Sequence, residues 1–420
     1  MAVPKLRFKE FDGRWKNTSF QSLFTFKNGI NASKEQYGSG TKFINVLDII
    51  NNPNGITYDS IIGSVQVFQK DIDKNLVNYG DVVFQRSSET REEVGQSNVY
   101  LSKEPVVFGG FVIRGFARVS YDPLFMNGLL KTDKVRDQIT QLSGGSTRFN
   151  IGQDSLNKVS VFLPLKEEQT KIASFLSAVD EKISQLTQKH QLLNQYKQGM
   201  MQKLFSQEIR FKADDGREFG EWEEKTLIDS VDTNIKWSFT GGPFGSNLKS
   251  EDYTELGIRI IQLQNIGDGA FLNDYKIYTS PEKANELLSC NIYPDEILIS
   301  KMGDPVARCC IVPKHHDRYV MCSDGIRLVV DKQNYSSIFM FYQINYQDFR
   351  QSASDVSTGS TRKRIGLSDL KQLPIKVPCL EEQTKIANFL SAIDQKIEVV
   401  AQQIEQAKQW KKGLLQQMFV

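Results

Sequence analysis

Two kinds of side-chain cluster in this chain could do chemistry. The first gathers sulfur and imidazole: Cys309, Cys310, His315, His316 and Cys322. A zinc ion would need four such donors in a tetrahedral array. Adjacent cysteines rarely reach one ion together, and this spacing fits no standard pattern. The segment reads better as buried thiols beside surface imidazoles, and no metal is expected. The second kind gathers guanidinium, ammonium, hydroxyl and amide groups in turn-like text. RSSETREE offers Arg86, Ser88, Thr90 and Arg91, and its counterpart SKMGDPVAR offers Lys301 and Arg308. GSTR offers Ser146, Thr147 and Arg148; GSTRKR offers Ser360, Thr361, Arg362, Lys363 and Arg364. Gln262, Gln264 and Asn265 add amides that fit adenine edges, and that equally fit ordinary strand polar positions. Groups of this kind donate hydrogen bonds to base edges and phosphates; they hold a ligand without making or breaking its bonds. The glycine-led turns have an alternative role as structural links between domain and helix.

Bond-making signatures are missing from the text. GGPFGS at Gly241 lacks the lysine of a nucleotide-phosphate loop. No DPPY or NPPY run of an adenine methyltransferase occurs, and the acidic residues form no nuclease constellation.

The elements that must position these clusters are written twice. EEQTKIASFLSAVDEKI from Glu167 returns as EEQTKIANFLSAIDQKI from Glu381, 214 positions later, and 20 of the 40 positions in 166–205 are identical in 380–419. GSTR at Gly145–Arg148 returns at Gly359–Arg362 with the same offset, as do Phe125–Met126 at Phe339–Met340 and Arg136 at Arg350. Further upstream only pattern survives. KFINVLDI resembles RIIQLQNI, and GDVVFQRS resembles DEILISKM, all apolar-rich in the manner of short strands. LRFKEFDGRW opens the chain and IRFKADDGREFGEW follows the first helix. The order is therefore fragment, domain, helix, repeated once. That is a cyclic unit cut open, with termini expected side by side and a pseudo-twofold axis.

Within each EEQTKIA segment, apolar residues recur at alternating steps of three and four, from Ile172 to Leu204 and from Ile386 to Met418. Such a heptad seam predicts two helices paired as an antiparallel coiled coil. Forty residues make a rod of about 60 Å. Pro164 and Pro378 mark the starts. A seam explains the apolar positions only. Glu168, Gln169, Lys171 and Asp180 recur as Glu382, Gln383, Lys385 and Asp394, off the seam, and a repeated partner-docking face is the expected reason.

At this point the chain resembles the specificity subunit of a type I restriction–modification enzyme over essentially its whole length. The resemblance rests on the doubled variable domain, each followed by GSTR and then EEQTKIAxFLSAxD. GGPFGSNLKSEDYTELGIRIIQLQNI and DEILISKMGD strengthen it. It implies an α+β fold with two globular α/β target-recognition domains and two long antiparallel helices between them. The expected division is 1–158 and 209–372 for the domains, 159–208 and 373–420 for the helices. It also implies a cytoplasmic subunit without catalysis or cofactor of its own. Each domain would read one half of a bipartite site in double-stranded DNA, the helices acting as a ruler. Two methyltransferase subunits using S-adenosylmethionine would dock on the helices, and motor-nuclease subunits driven by ATP and Mg would join. A protein-binding scaffold with no DNA role is the alternative.

Bulk properties fit either reading. At 420 residues the chain exceeds one ordinary core. The N-terminus carries charges where a signal peptide needs an apolar run, and no apolar stretch is long enough to cross a membrane. Five cysteines without a CxxC pair fit a reducing compartment. Net charge is only +2. Residues 16–158 carry 16 Lys/Arg against 14 Asp/Glu, and 223–372 carry 17 against 20. A nucleic-acid role must therefore rest on local patches.

Overall fold

The computed structural model describes residues 3–243, 245–359 and 362–420. The chain is α+β and divides into two compact units. One comprises 1–188 with 400–420, the other 189–399. Each long helix, Lys166–Phe205 and Leu380–Met418, thus lends one end to each unit.

Both units rest on a four-stranded antiparallel sheet with the same chain order, 1-4-2-3. In the first unit the strands run Phe24–Asn28, Val112–Ala117, Val82–Gln85, Ser97–Val99 across the sheet. In the second they run Phe239–Gly241, Gly325–Leu328, Ile297–Ser300, Cys309–Ile311. The strands Val82–Gln85 and Ile297–Ser300 are wholly buried, which explains their near-continuous apolar text. A buried ion pair crosses each sheet at the same place. Arg114 meets Asp81 at 2.6 Å, and Arg327 meets Glu296 through bonds of 2.7 and 2.5 Å. A second, mixed sheet in each unit contains one parallel pair, Phe43–Ile44 beside Val107–Phe108 and Arg259–Ile261 beside Tyr319–Met321.

KFINVLDI is strand only in its first half. Tyr37–Ile44 is extended, then Val46–Asn51 turns helical, because Asn45 and Asp48 close a capping box around the helix start. RIIQLQNI breaks in the same place, after Ile261, into a short turn at Leu263–Asn265 with an equivalent box between Gln262 and Asn265.

The helix seams pack as their periodicity requires. In the first unit Ile172, Leu176 and Val179 share a core with Leu414 and Met418. In the second, Leu204 shares a core with Ile386, Leu390 and Ile393. Within each unit the two helix segments run antiparallel. A lysine interrupts each seam, Lys197 in the first helix and Lys411 in the second. Lys411 pairs with Asp180 in the first unit, and Lys197 pairs with Asp394 at 2.6 Å in the second.

The off-seam repeats have an internal cause, which corrects the expectation of an outer docking face at four of them. Glu168, Gln169, Glu382 and Gln383 are buried. Glu168 accepts two 2.7 Å bonds from Arg7 and one of 3.3 Å from Trp15 Nε1. Glu382 accepts bonds of 3.1 and 2.7 Å from Arg210. Gln169 donates to the Pro164 carbonyl and accepts from the Asp122 backbone, and Gln383 does the same with Pro378 and Ser336. A carboxylate in a helix's first turn also suits the positive end of its dipole. These residues lock each opening fragment and each domain onto a helix start. Lys171 stays exposed, 3.6 Å from Glu10, and Lys385 pairs with Asp214.

Candidate nucleic-acid interface

In the first unit the central strand Val82–Gln85 delivers the chain to Arg86 at the sheet end. Arg86 donates its backbone N–H to the Phe111 carbonyl at 2.8 Å and accepts from the Ile151 N–H at 2.9 Å. The next two residues, Ser87–Ser88, pair antiparallel with Phe149–Asn150. The GSTR turn is closed just before this by reciprocal bonds of Gly144 and Asn150, 2.9 and 2.8 Å. RSSETREE and GSTR, some sixty residues apart, are thus stitched into one surface.

The turn demands its glycine. Gly145 has φ +123°, and a Cβ there would lie 2.1 Å from the Arg148 carbonyl oxygen. Beyond it Ser146, Thr147 and Arg148 are exposed. The Arg148 guanidinium sits 5.5 Å from the centre of the Phe111 ring, and Arg91 sits 5.7 Å from that of Phe149. Aromatic faces of this kind hold a cation in place while its donors stay available. Arg86 is half-buried, with Nη1 3.4 Å from the Gly110 carbonyl. Thr90 is exposed.

Ser88 does not belong to this set. It is buried, and its hydroxyl donates to Glu93 at 2.9 Å while capping the Thr90 N–H. A side chain committed to its own loop has no donor left for a base edge, so the expectation for Ser88 is corrected to a loop brace.

The second unit repeats the frame with other side chains. Ile297–Ser300 delivers Lys301, whose carbonyl accepts from the Ile365 N–H at 3.0 Å. Thr358 and Arg364 exchange bonds of 2.9 and 2.8 Å and close the second turn, with Gly359 at φ +101°. Ser360 and Thr361 lie outside the described residues. Arg362 and Lys363 are exposed, Lys363 reaching the Ser354 hydroxyl. Arg364 bonds Asp324 at 2.7 Å. A cleft of about 590 Å³ opens beside this turn, lined by Gln262, Gln264, Tyr275, Asp304, Arg308 and Arg362. Arg308 is anchored there by a 2.7 Å bond from Nε to the Ile266 carbonyl.

Asn265 is not available to a ligand. It is fully buried, donating at 2.8 Å to both the Leu272 and Tyr275 carbonyls and accepting from the Gln262 N–H. Gln262 and Gln264 remain at the cleft. Cys309, Cys310 and Cys322 are turned inward as well. Burial pushes the Cys309 thiol up to about 12 and Cys322 up to about 11, and Cys309 Sγ points at the Phe341 carbonyl. Among the described residues no three His, Cys, Asp or Glu side chains form a group that could hold a metal ion.

Two contributors escaped the sequence reading. Phe111, 60% exposed beneath Arg148, comes from the turn just before the strand Val112–Ala117, with no polar signal. Tyr275, at the second cleft, lies in the segment that connects Leu263–Asn265 to the strand Ile277–Thr279. The buried Asp81–Arg114 and Glu296–Arg327 pairs, which fix the strand carrying Arg86 or Lys301, were legible only as an acid opening each strand.

Comparison with known proteins fits this arrangement. The profile of a family described as type I restriction modification DNA specificity domain matches residues 13–195 and 264–409. A Methanocaldococcus jannaschii chain assigned as the MjaX specificity subunit of a type I restriction enzyme is 26% identical over 402 residues, covering 94% of this chain and 89% of its own. In fold, the chain is similar to the crystal structure of a type I restriction–modification S subunit from M. genitalium. The TM-score is 0.55 at 18% identity, over 100% of this chain and 99% of that one. It is also similar to a chain solved in work on complex assembly and conformational transition of the type I restriction–modification system, with TM-score 0.61 at 17% identity over 96% of both. No helix among the described residues is long and apolar enough to cross a membrane. With two matched stretches that take in both sheet-end turns and the greater part of both long helices, the chain belongs to the type I restriction–modification DNA specificity family.

Proposed function

We propose that each unit reads one half of a split sequence in double-stranded DNA, through the surface that joins its central strand end to its glycine turn. The observation that carries this is the shared backbone frame holding unlike side chains. Arg86 and Lys301 occupy one position of that frame, accepting equivalent bonds from Ile151 and Ile365. A common scaffold with different donors is what two different half-sites require. In this reading Arg148 and Arg362 anchor phosphates, being the shared members. Arg86, Thr90 and Arg91, with Lys301, Arg308 and the Gln262–Gln264 cleft, discriminate bases. Ser146, Thr147, Lys363 and Arg364 support the turns.

The chain itself catalyses nothing in this proposal. Two methyltransferase subunits, using S-adenosylmethionine, dock on it and clamp the DNA, which offsets its weak net charge. Motor-nuclease subunits bring ATP and Mg chemistry, and the assembly works in the cytoplasm. With Glu168, Gln169, Glu382 and Gln383 turned inward, docking falls to the exposed remainder of the helices, Lys171 and its neighbours included. A scaffold indifferent to DNA would have no use for two arginine-bearing turns held so alike.

Domain exchange tests the reading. Residues 16–158 are replaced by the corresponding stretch of another specificity subunit, and methylated adenines are mapped in the host genome. One half of the motif should change and the other persist. An unchanged motif, or a change in both halves, overturns it.

A further inference from the structure

The two units differ at one buried position in a way that exposes a second kind of site. In the second unit Tyr342 is 97% buried, at 3% exposure, against the helix seam. Its hydroxyl donates to Asp394 Oδ2 at 2.6 Å and lies 3.4 Å from Ser391 Oγ. The Lys197 ammonium, paired with Asp394, stands 5.4 Å from the ring centre. The first unit keeps every partner of that phenol. Ser177, Asp180 and Lys411 stand at the positions equivalent to Ser391, Asp394 and Lys197, with Lys411 again paired to the aspartate. The residue equivalent to Tyr342, however, is Gly128. Where the ring would be, the first unit has a pocket of about 220 Å³, lined by Gly128, Ser177, Asp180, Lys411, Asn127 and Lys131 among others.

We propose that this pocket binds a phenolic ring. The second unit shows the chemistry with its own side chain: a hydroxyl given to a carboxylate, and a ring beneath an ammonium. Asn127 also lines the pocket at 6% exposure; its side-chain nitrogen donates to the Pro53 carbonyl at 3.2 Å, and among the described residues its oxygen has no hydrogen-bond partner. The equivalent residue in the second unit, beside the tyrosine, is Phe341, which needs no partner.

The opening one helical turn further on follows the same rule. In the second unit Tyr346 stacks on Phe205 at 5.0 Å and 26°. In the first unit the equivalent residues are Thr132 and Phe419, and they line a neighbouring pocket of about 320 Å³. Two neighbouring pockets, each where the second unit places a tyrosine, favour a ring carried on a polypeptide, although a free phenol offers the same chemistry to the first pocket.

Titrating the full chain with p-cresol and, separately, with N-acetyl-tyrosinamide tests the site, by calorimetry or by chemical-shift perturbation. Saturable p-cresol binding is expected, with toluene about tenfold weaker for want of the hydroxyl. Gly128→Tyr supplies the ring covalently and should abolish binding; its Cβ would lie 3.2 Å from the Phe419 ring, which must shift by a few tenths of an ångström, so its melting temperature is read alongside to show that it folds. Asp180→Asn, a second variant, should weaken p-cresol about tenfold and leave toluene unchanged. If the amide binds as well as p-cresol, the natural source is a tyrosine of a partner chain; if p-cresol alone binds, it is a small phenol. No saturable binding of either probe, or binding that survives Gly128→Tyr, overturns the proposal.

Discussion

The backbone N–H of Leu6 donates to the carbonyl oxygen of Gln417 at 2.9 Å, and Ile209 makes the equivalent bond to Lys203 at 3.1 Å. In the second case the two residues are joined by a short continuous chain. In the first they lie near opposite ends of the sequence. The opening fragment therefore completes the last helix as the middle fragment completes the first. Phe8 packs edge-on against Phe175 at 5.8 Å, and Phe211 does so against Phe389 at 5.7 Å.

A circular permutant follows from this relationship. Joining Val420 to the N-terminus through a short Gly/Ser linker, and opening new ends between Gln207 and Glu208, exchanges the cut for the join. Both bonds above survive, so the permutant should melt within a few degrees of wild type and, in the assembled complex, specify the same methylated motif. Differential scanning calorimetry and methylation mapping check this. Loss of folding would show that the chain connection at 203–209 carries more than the packing does.

Glu168→Ala should destabilise the first unit by about 3 kcal/mol, because it leaves Arg7 and Trp15 Nε1 without their buried acceptor. Glu382→Ala should do the same to the second unit through Arg210. Denaturation followed by fluorescence separates them. Trp15 should respond first in Glu168→Ala and Trp222 first in Glu382→Ala, each read in a chain lacking the other tryptophans.

The duplication, the seam, the buried strands and both glycine turns could be read from one-dimensional text, because each is a local pattern or a literal repeat. The role of Glu168 could not. Its partner Arg7 lies 161 residues away, and a repeated carboxylate at a helix start looks alike whether it faces a partner protein or its own chain. Ser88 and Asn265 misled for a related reason. A polar residue near a ligand surface and one bracing the loop behind it share composition, and only burial tells them apart. The pairing of RSSETREE with GSTR was equally hidden, since two short strands of two residues each carry almost no pattern.

Arg148→Ala should weaken binding of the assembled complex to DNA by about 1–3 kcal/mol, uniformly across first half-site variants, and lower the salt dependence by about one ion. Arg86→Ala should instead relax preference at one or two base pairs with little change in salt slope. Fluorescence anisotropy over a salt series, against a panel of half-site variants, distinguishes the two. Equal behaviour of both substitutions would remove the assignment of phosphate anchor and base reader.

Lys131 is held down to about 8 by burial first, and then by Lys411, with Asp180 acting in the opposite direction. A lysine whose folded value lies below its unfolded value of 10.5 costs stability while charged. The unfolded chain binds more protons between those two values, so this group makes stability rise with pH from about 8 to about 10.5. Lys131→Met removes the cost, and should stabilise the chain at pH 7 by up to about 3 kcal/mol. The gap between variant and wild type should close as pH approaches 10. Parallel urea titrations of the two proteins at several pH values give this difference directly, with all other groups cancelling.

Gly145→Ala provides the sharpest test of how the first half-site is built. The glycine has φ +123°, a conformation L residues avoid, and the new methyl would fall 2.1 Å from the Arg148 carbonyl oxygen. The turn must open to admit it, and opening breaks the reciprocal Gly144–Asn150 bonds that aim Arg148 over Phe111. The turn lies outside the cores that hold the unit together, so the global cost should be about 1–2 kcal/mol and the protein should still fold. Recognition should suffer more than stability. Affinity for DNA should fall as far as in Arg148→Ala or further, and discrimination within the first half-site should fall with it, because Ser87–Ser88 pairs with the strand that follows the turn. Discrimination within the second half-site, where Gly359 holds the matching turn, should stay intact. If Gly145→Ala instead lowers stability by several kcal/mol while discrimination per folded molecule is retained, the turn is a folding element and the arginine it carries is incidental.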